Sequence, residues 1–473
     1  MSRITFGTDG WRAVISREFT FDNVRYVAAA AAEYFRREGK GKPATLGYDR
    51  RFLSREYAHE VAGVATAKGL KIILSQDVCP TPSLSLETFK RRTAGGIIIT
   101  ASHNTGEYNG IKIRGAFGGP VNPDVTRQIE GRANALLERG KLPQVLTIEE
   151  ARKARLLEFF DPRKRYLETI CSLVDVARIK QHRPRVVVDA MYGAGVGVLA
   201  PLLSSWGLEV REIHGETNPS FGGLHPEPIG KNLGPLCEAV RDSEADVGLA
   251  LDGDADRVGV VDERGHYLTT QDVFALLLMH VHEDLKMTGE VVKTCSSTSM
   301  LDKLCEMYGL VLHEVPVGFK WVCDLMLERD VLIGGEESGG YGIKGHIPER
   351  DGSMAALYIL QMLAIRRQPL SQILNELYRK VGYHAFRRED FHLTPQRMSE
   401  VLDKLRSKPP KTIAGRPVDR LLTIDGFKFS LRDGSWILLR PSGTEPLFRV
   451  YVEGASDEAV EEILTKARRQ LLR

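Results

Sequence analysis

Four short segments carry side chains whose types and spacing could do chemistry. In Asp252-Gly253-Asp254-Ala255-Asp256-Arg257, three carboxylates fall at i, i+2 and i+4 with small residues between them. Carboxylates facing one another repel, and a divalent cation removes the repulsion. An all-oxygen set of this kind suits a hard ion such as Mg²⁺. The glycine and bidentate glutamate of an EF-hand loop are missing at their offsets. Three aspartates leave room for one more oxygen ligand, and a phosphoserine oxygen fits that place. The bland alternative is a solvated acidic loop, and the apolar run Val247 to Leu251 ahead of it weighs against that.

The second segment, Thr100-Ala101-Ser102-His103-Asn104, follows the apolar run Gly95 to Ile99. Downstream, Asn109-Gly110-Ile111-Lys112-Ile113 returns a lysine to the same neighbourhood. A serine hydroxyl is a poor nucleophile or phosphate acceptor unless nearby groups manage its proton and charge. His103 and Lys112 are the candidates for that work; a polar turn with a capping serine is the alternative. The third, Gly334-Gly335-Glu336-Glu337-Ser338-Gly339-Gly340, offers Glu336 and Ser338 to neighbouring sugar hydroxyls, or is a plain flexible loop. The fourth, Arg440-Pro441-Ser442-Gly443-Thr444-Glu445-Pro446 with Arg449 beyond it, combines hydroxyls, backbone N–H groups and two guanidinium forks. That makes a phosphate cradle or, failing that, a strand-linking turn with a surface arginine.

The elements that must position these loops alternate between strand and helix. Short apolar runs at Ala44 to Tyr48, Lys71 to Ser75 and Gly95 to Thr100 read as buried parallel strands, with a helix over Glu56 to Gly69. The cycle restarts with strands at Arg185 to Asp189, Glu209 to Ile213 and Val247 to Asp252. It appears again at Glu290 to Thr294, Val311 to Val315 and Val331 to Gly334. Each of the first three chemical segments therefore follows a strand, where open parallel sheets gather function. A helical stretch over Met354 to Lys380 precedes an α+β segment. That segment has strands near Phe391, Leu421, Phe427, Trp436 and Phe448 to Val452, and helices at Pro395 to Leu405 and Asp457 to Leu472. The expected divisions are 1–147, 148–261 and 262–382 as three related α/β domains, with 383–473 as an α+β domain. Gly193-Ala194-Gly195-Val196-Gly197 resembles part of a dinucleotide fingerprint, but its glycine spacing is wrong and Asp189 lies too close. Tight strand-to-helix packing is the better reading.

The chain has 473 residues, enough for several cores. A net charge of +3, spread along the chain, gives no nucleic-acid footprint. No apolar run approaches the ~20 residues that span a bilayer, and the N-terminus lacks a basic-then-apolar signal. The six cysteines, 79, 171, 237, 295, 305 and 323, are scattered without C-x-x-C spacing and read as buried thiols of a cytoplasmic protein.

Serine carrier, hard-metal loop, hydroxyl-reading loop and phosphate cradle, in this order, resemble the α-D-phosphohexomutase superfamily, the phosphoglucomutase and phosphomannomutase enzymes. The likeness runs from Phe6-Gly7-Thr8-Asp9-Gly10-Trp11-Arg12 to Arg449. It implies a four-domain, heart-shaped molecule with the cleft between its domains. It also implies a phosphorylated Ser102, and Mg²⁺ held by that phosphate with Asp252, Asp254 and Asp256. The phosphoryl would pass to a bound hexose monophosphate, giving a hexose 1,6-bisphosphate that turns around before its other phosphate returns to the serine. Arg257 would neutralise the transferring group, and Lys112 and His103 would handle protons. Glu336 and Ser338 would hold sugar hydroxyls, and Arg440, Ser442, Gly443, Thr444 and Arg449 the idle phosphate. Arg12 and Arg350 occupy positions that look like sugar-phosphate contacts.

Two departures bear on the sugar. Thr105 stands where the serine motif often has proline, and the sugar loop ends Gly339-Gly340 where mannose and glucosamine enzymes often have histidine. The Glu-Glu-Ser form tilts the expectation to glucose 1-phosphate. Mannose or dual specificity is next, then a phosphoglucosamine mutase or a sugar-bisphosphate synthase. A non-catalytic sugar-phosphate sensor is disfavoured because every reacting group is present.

Overall fold

Three of the four sheets repeat one arrangement of four strands. The computed structural model describes residues 3–7, 9–441 and 447–471. In the first sheet, Tyr108–Gly115, Gly95–Ile99, Ala44–Tyr48 and Ile72–Ser75 lie side by side in that order. The second sheet repeats it with Val258–Asp262, Val247–Leu251, Val186–Asp189 and Val210–Ile213, and the third with Tyr341–Ile343, Val331–Gly335, Glu290–Thr294 and Leu312–Val315. In each, the last three strands are parallel and the first runs antiparallel beside its neighbour. The fourth sheet has six strands, from Ala385–His392 to Thr412–Ile413, all antiparallel. This is the expected architecture of three related α/β units and an α+β module.

The inner parallel strands are buried on both faces, which is why they are written as runs such as Gly-Gly-Ile-Ile-Ile and Val-Val-Val-Asp. The antiparallel return strands are not evident from such runs, because they mix Lys112, Arg114 and Asp262 with apolar residues. They matter most for function. In all three sheets the chemistry-bearing loop joins a parallel strand to its antiparallel return.

Three sequence expectations need correction. The first sheet continues past residue 147 through Leu157–Phe160, which pairs with Ile72–Ser75. The second continues past 261 to Tyr267–Leu268. The helical stretch before the last sheet is two helices, Gly352–Arg366 and Leu370–Val381. Arg367 ends the first in a left-handed conformation, and Pro369 cannot continue it. Of the cysteines, Cys171 and Cys237 are only half-buried; all six are free thiols.

Helix Gly352–Arg366 is apolar around most of its circumference and buried through Ala364. One hydrophobic cluster takes it in together with Val188, Leu249 and Val260 of the second sheet and Val291, Leu332 and Ile333 of the third. The first and fourth sheets keep separate cores. Asp351 caps this helix by accepting from Met354 N at 2.9 Å, and it also accepts from Tyr166 Oη at 2.7 Å. Among the described residues, no helix is long and apolar enough to cross a membrane.

The fourth sheet meets the third unit through a small apolar patch around Cys295, Trp436 and Tyr451 and through polar contacts. Glu453 Oε1 accepts from Ser299 N at 3.0 Å, from Trp436 Nε1 at 2.9 Å and from Ser299 Oγ, and it lies 3.0 Å from His384 Nδ1. Burial pushes the Glu453 carboxyl up, but the bonds from His384 and Ser299 outweigh it and hold it at about 2. A carboxyl held below its ordinary value stabilises the fold above that value and loses the contribution as acid is added. We expect about 3 kcal/mol to disappear between the ordinary glutamate range and about pH 2. Glu453→Gln removes that acid limb in urea titrations; an unchanged pH dependence in the variant would refute the assignment.

Candidate active site

The serine loop and the acidic loop meet. Ser102 is 1% exposed, has a left-handed backbone (φ 55°), and its Oγ donates to Asp252 Oδ2 at 3.2 Å. A non-glycine residue at positive φ costs on the order of 1–3 kcal/mol and persists only where surroundings enforce it. Ser102 N donates to Thr100 Oγ1 at 2.9 Å. The approach is so close that a Cβ on Gly253 would lie 2.2 Å from the Ser102 carbonyl oxygen. Gly253 is therefore required for contact between the loops. Ala255 takes the left-handed turn at φ 61°.

Asp252, Asp254 and Asp256 are 0% exposed, and one oxygen from each lies within 4.8 Å of the others. Asp252 Oδ1 accepts from Asp256 N at 2.9 Å and Arg257 N at 3.1 Å, which curls the loop. Asp254 Oδ1 and Asp256 Oδ1 are buried without a hydrogen-bond partner among the described residues. Orphaned buried carboxylate oxygens are costly, and a hard cation fits three convergent oxygens of this kind. Burial, then the charges of Asp256 and Asp254, pushes the Asp252 carboxyl far above the usual range.

Lys112 arrives from the return strand. Its Nζ is 2.7 Å from Asp254 Oδ2, 3.3 Å from Asp256 Oδ2 and 3.4 Å from Asp9 Oδ2. Burial lowers its pKa, but those carboxylates more than restore it, so Lys112 is a firmly charged ammonium. It is equipped to neutralise charge and to donate. His103 is the opposite. Burial, with Arg257 and Arg12 nearby, drives its pKa well below the usual value, and its Nδ1 has no partner among the described residues. It is a neutral imidazole with one ring nitrogen open.

The arginines divide by partner. Arg257 bonds Glu227 Oε1 at 3.2 Å, with its Nε 3.8 Å from Asp256 Oδ1. Arg12, on Trp11–Val14 beside the return strand, holds Asn104 Oδ1 at 2.8 Å. Arg350 was expected at a sugar phosphate, yet its fork engages carboxylates: Asp256 at 2.7 Å, Glu336 at 2.8 Å and Asp9 at 3.4 Å. Burial raises the Glu336 carboxyl although Arg350 pulls it down. Ser338 Oγ is buried and unpartnered among the described residues, a hydroxyl with bonding capacity to spare.

Arg440 and Arg449 are paired across two strands of the fourth sheet. Like charges directly opposite destabilise a sheet, and an anion between them would relieve it. Arg440 Nε bonds Asp425 at 2.8 Å, and Arg449 Nε is buried without a hydrogen bond among the described residues. Ser442, Gly443 and Thr444 lie outside the described residues.

Several participants escaped the sequence reading. Arg114 bonds Asp9 at 2.8 Å and Glu349 at 2.6 Å behind Lys112; burial raises Glu349 to about 6 despite Arg114. Lys320 is half-buried; burial lowers its pKa although the charges of Asp9 and Asp425 oppose this, which sets it near both of those carboxylates. Gly193, from the discounted glycine-rich turn, backs the acidic loop: a Cβ there would sit 2.8 Å from Gly253 O. Only the Asp9 motif, Thr8-Asp9-Gly10 beside Arg12, carried a visible signal.

Family models described as phosphoglucomutase/phosphomannomutase alpha/beta/alpha domains I, II and III match residues 3–139, 164–265 and 270–381. The model of the C-terminal domain matches 392–470. A phosphoglucomutase/phosphomannomutase of Thermococcus kodakarensis is 31% identical over 97% of this chain and 96% of its own. A phosphoglucosamine mutase of Bradyrhizobium sp. is 32% identical over 98% and 97%. A crystal structure assigned as a phosphomannomutase of Thermus thermophilus superposes with a TM-score of 0.86 at 33% identity, covering 99% of each chain.

The close approach of the two loops is directly testable. Gly253→Ala should force them apart, costing about 1–3 kcal/mol of stability and at least tenfold in turnover. A variant with wild-type melting and wild-type turnover would show that the contact is unnecessary.

Proposed function

The chain belongs to the phosphoglucomutase/phosphomannomutase family, and from that premise we propose that it moves a phosphoryl group reversibly between the 1- and 6-positions of a hexose phosphate, with Ser102 as carrier. The observation that carries the reading is the Ser102 hydroxyl bonded to a fully buried aspartate cluster. A serine with no such neighbours would be an ordinary turn residue.

In this reading the phosphoryl of phosphorylated Ser102 passes to the free hydroxyl of a bound hexose monophosphate, and the serine oxygen keeps the bonding electrons. The resulting 1,6-bisphosphate gives its other phosphoryl back to Ser102. Asp252, Asp254 and Asp256, with an oxygen of the phosphoserine, would hold Mg²⁺, which supplies charge neutralisation for the transferring group. Arg257 and Lys112 add fixed positive charge at the same place. His103, with Nδ1 open, is assigned to take the proton of the attacking hydroxyl. Glu336 and Ser338 face the sugar, and Arg440 and Arg449 take the idle phosphate together with Ser442, Gly443 and Thr444.

Glucose 1-phosphate is the substrate favoured by the Glu336-Glu337-Ser338 loop. The names of the relatives support glucosamine phosphate or mannose phosphate as the second reading.

Ser102→Ala should melt like the wild type, take up no phosphate from a hexose bisphosphate and lose turnover by at least 1,000-fold (~4 kcal/mol of barrier), with wild-type turnover itself dependent on added Mg²⁺. Near-normal mutase rates in that variant would remove the carrier role. A matched rate comparison on glucose, mannose and glucosamine 1-phosphates, primed with bisphosphate, should rank glucose first. A preference for the amino sugar would replace the leading specificity.

A further inference from the structure

One buried guanidinium holds the backbone of the serine loop. Arg51 is 3% exposed and follows strand Ala44–Tyr48, outside every motif considered above. Its NH1 donates to the carbonyls of Thr105 at 2.7 Å and Tyr108 at 3.0 Å. Its NH2 donates to the carbonyls of Ser102 at 2.6 Å and of Asn104. All four terminal N–H donors of the fork are thus directed at one turn of chain. Asp49 fixes the fork from behind, with Oδ2 at 3.2 Å from Nε, and is itself bound by Ser54 Oγ at 2.6 Å.

The other face of the guanidinium is covered by the second unit. The ring of Phe221 lies 4.7 Å from its centre. A Cβ on Gly253 would be 3.4 Å from Arg51 NH2, so the same group also abuts the acidic loop. A planar fork bonding four carbonyls is beyond lysine, which has three donors on a point charge.

We propose that Arg51 is a positioning residue for phosphoryl transfer: it enforces the left-handed backbone at Ser102, and Phe221 stacked upon it makes that conformation depend on contact between the first and second units. The inference rests on Ser102 being the phosphate carrier. Arg51 has no bond to the Ser102 hydroxyl, so it acts only through the loop backbone. Its loss should lower kcat and leave the sugar's KM nearly unchanged.

The test compares Arg51→Lys and Phe221→Leu with the wild type for kcat, KM, melting temperature and hydrogen exchange of the amides of residues 102–108. Arg51→Lys should lose about 100-fold in kcat, as expected for a small misplacement of a reacting group. KM should stay within about twofold, and exchange should accelerate in that segment alone. Phe221→Leu should lose roughly fivefold in kcat with the same local acceleration. If Arg51→Lys does not fold, Phe221→Leu decides alone. Wild-type exchange over 102–108 in Phe221→Leu, or wild-type kcat in a folded Arg51→Lys, overturns the proposal. If Ser102→Ala also keeps its turnover, the carrier assignment has failed instead, and the exchange data still report whether Arg51 holds the loop.

Discussion

Three carboxyl groups buried within a few ångströms of one another, with positive charge brought to them from elsewhere in the chain, form the constraint on which the rest of the structure depends. Asp252, Asp254 and Asp256 have no solvent to dilute their repulsion. Lys112 comes from the first unit and Arg350 from the third, and both bond the Asp256 carboxylate. Main-chain bonds fix the loop from all three units: Thr81 N to Asp254 O, Ala194 N to Gly253 O, and Gly352 N to Ala255 O. The acidic loop is therefore the place where three units are tied together as well as a place for a cation. Burying charge without partners costs several kcal/mol per ion, so the acidic loop has its partners only when the three units are together.

The repeated sheet topology explains how so few residues converge. In each of the first three units, the functional loop lies between a central parallel strand and its antiparallel return. In the first unit the return strand also brings Lys112, opposite Ile98, to the site, and the second unit's return strand donates Val258 N to Gly339 O in the glycine-rich loop of the third. A loop held at both ends by one sheet has little freedom, which suits groups that must be placed before reaction.

Much of this was legible in the sequence. Apolar runs gave most of the parallel strands, and carboxylate spacing gave the acidic loop whose three side chains converge. The order of four segments gave the family likeness, which the matches across the chain bear out. The illegible parts share a cause. Arg51 sits in Tyr48-Asp49-Arg50-Arg51, which reads as ordinary surface charge, and its partners are backbone carbonyls more than fifty residues away that leave no side-chain signature. The carboxylate partners of Arg350 come from three separate segments, so no local spacing announces them. Lys112 was expected to handle protons, but its identity carries no information about Asp254, Asp256 and Asp9, the three carboxylates that keep it charged. The seams were misplaced where an edge strand, Leu157–Phe160 or Tyr267–Leu268, returns to a sheet whose apolar runs had already ended.

The single apolar cluster shared by the second and third sheets has an evolutionary corollary. Helix Gly352–Arg366, chemically greasy nearly all round, is enclosed by both of them. Neither member of that pair could be exchanged with a foreign counterpart, or exist as a free-standing piece, without exposing a large oily surface. The C-terminal sheet has its own core and meets the third unit through a much smaller apolar patch and the bonds to Glu453. Recombination over the history of such chains would thus be tolerated at the last junction and purged at the middle one.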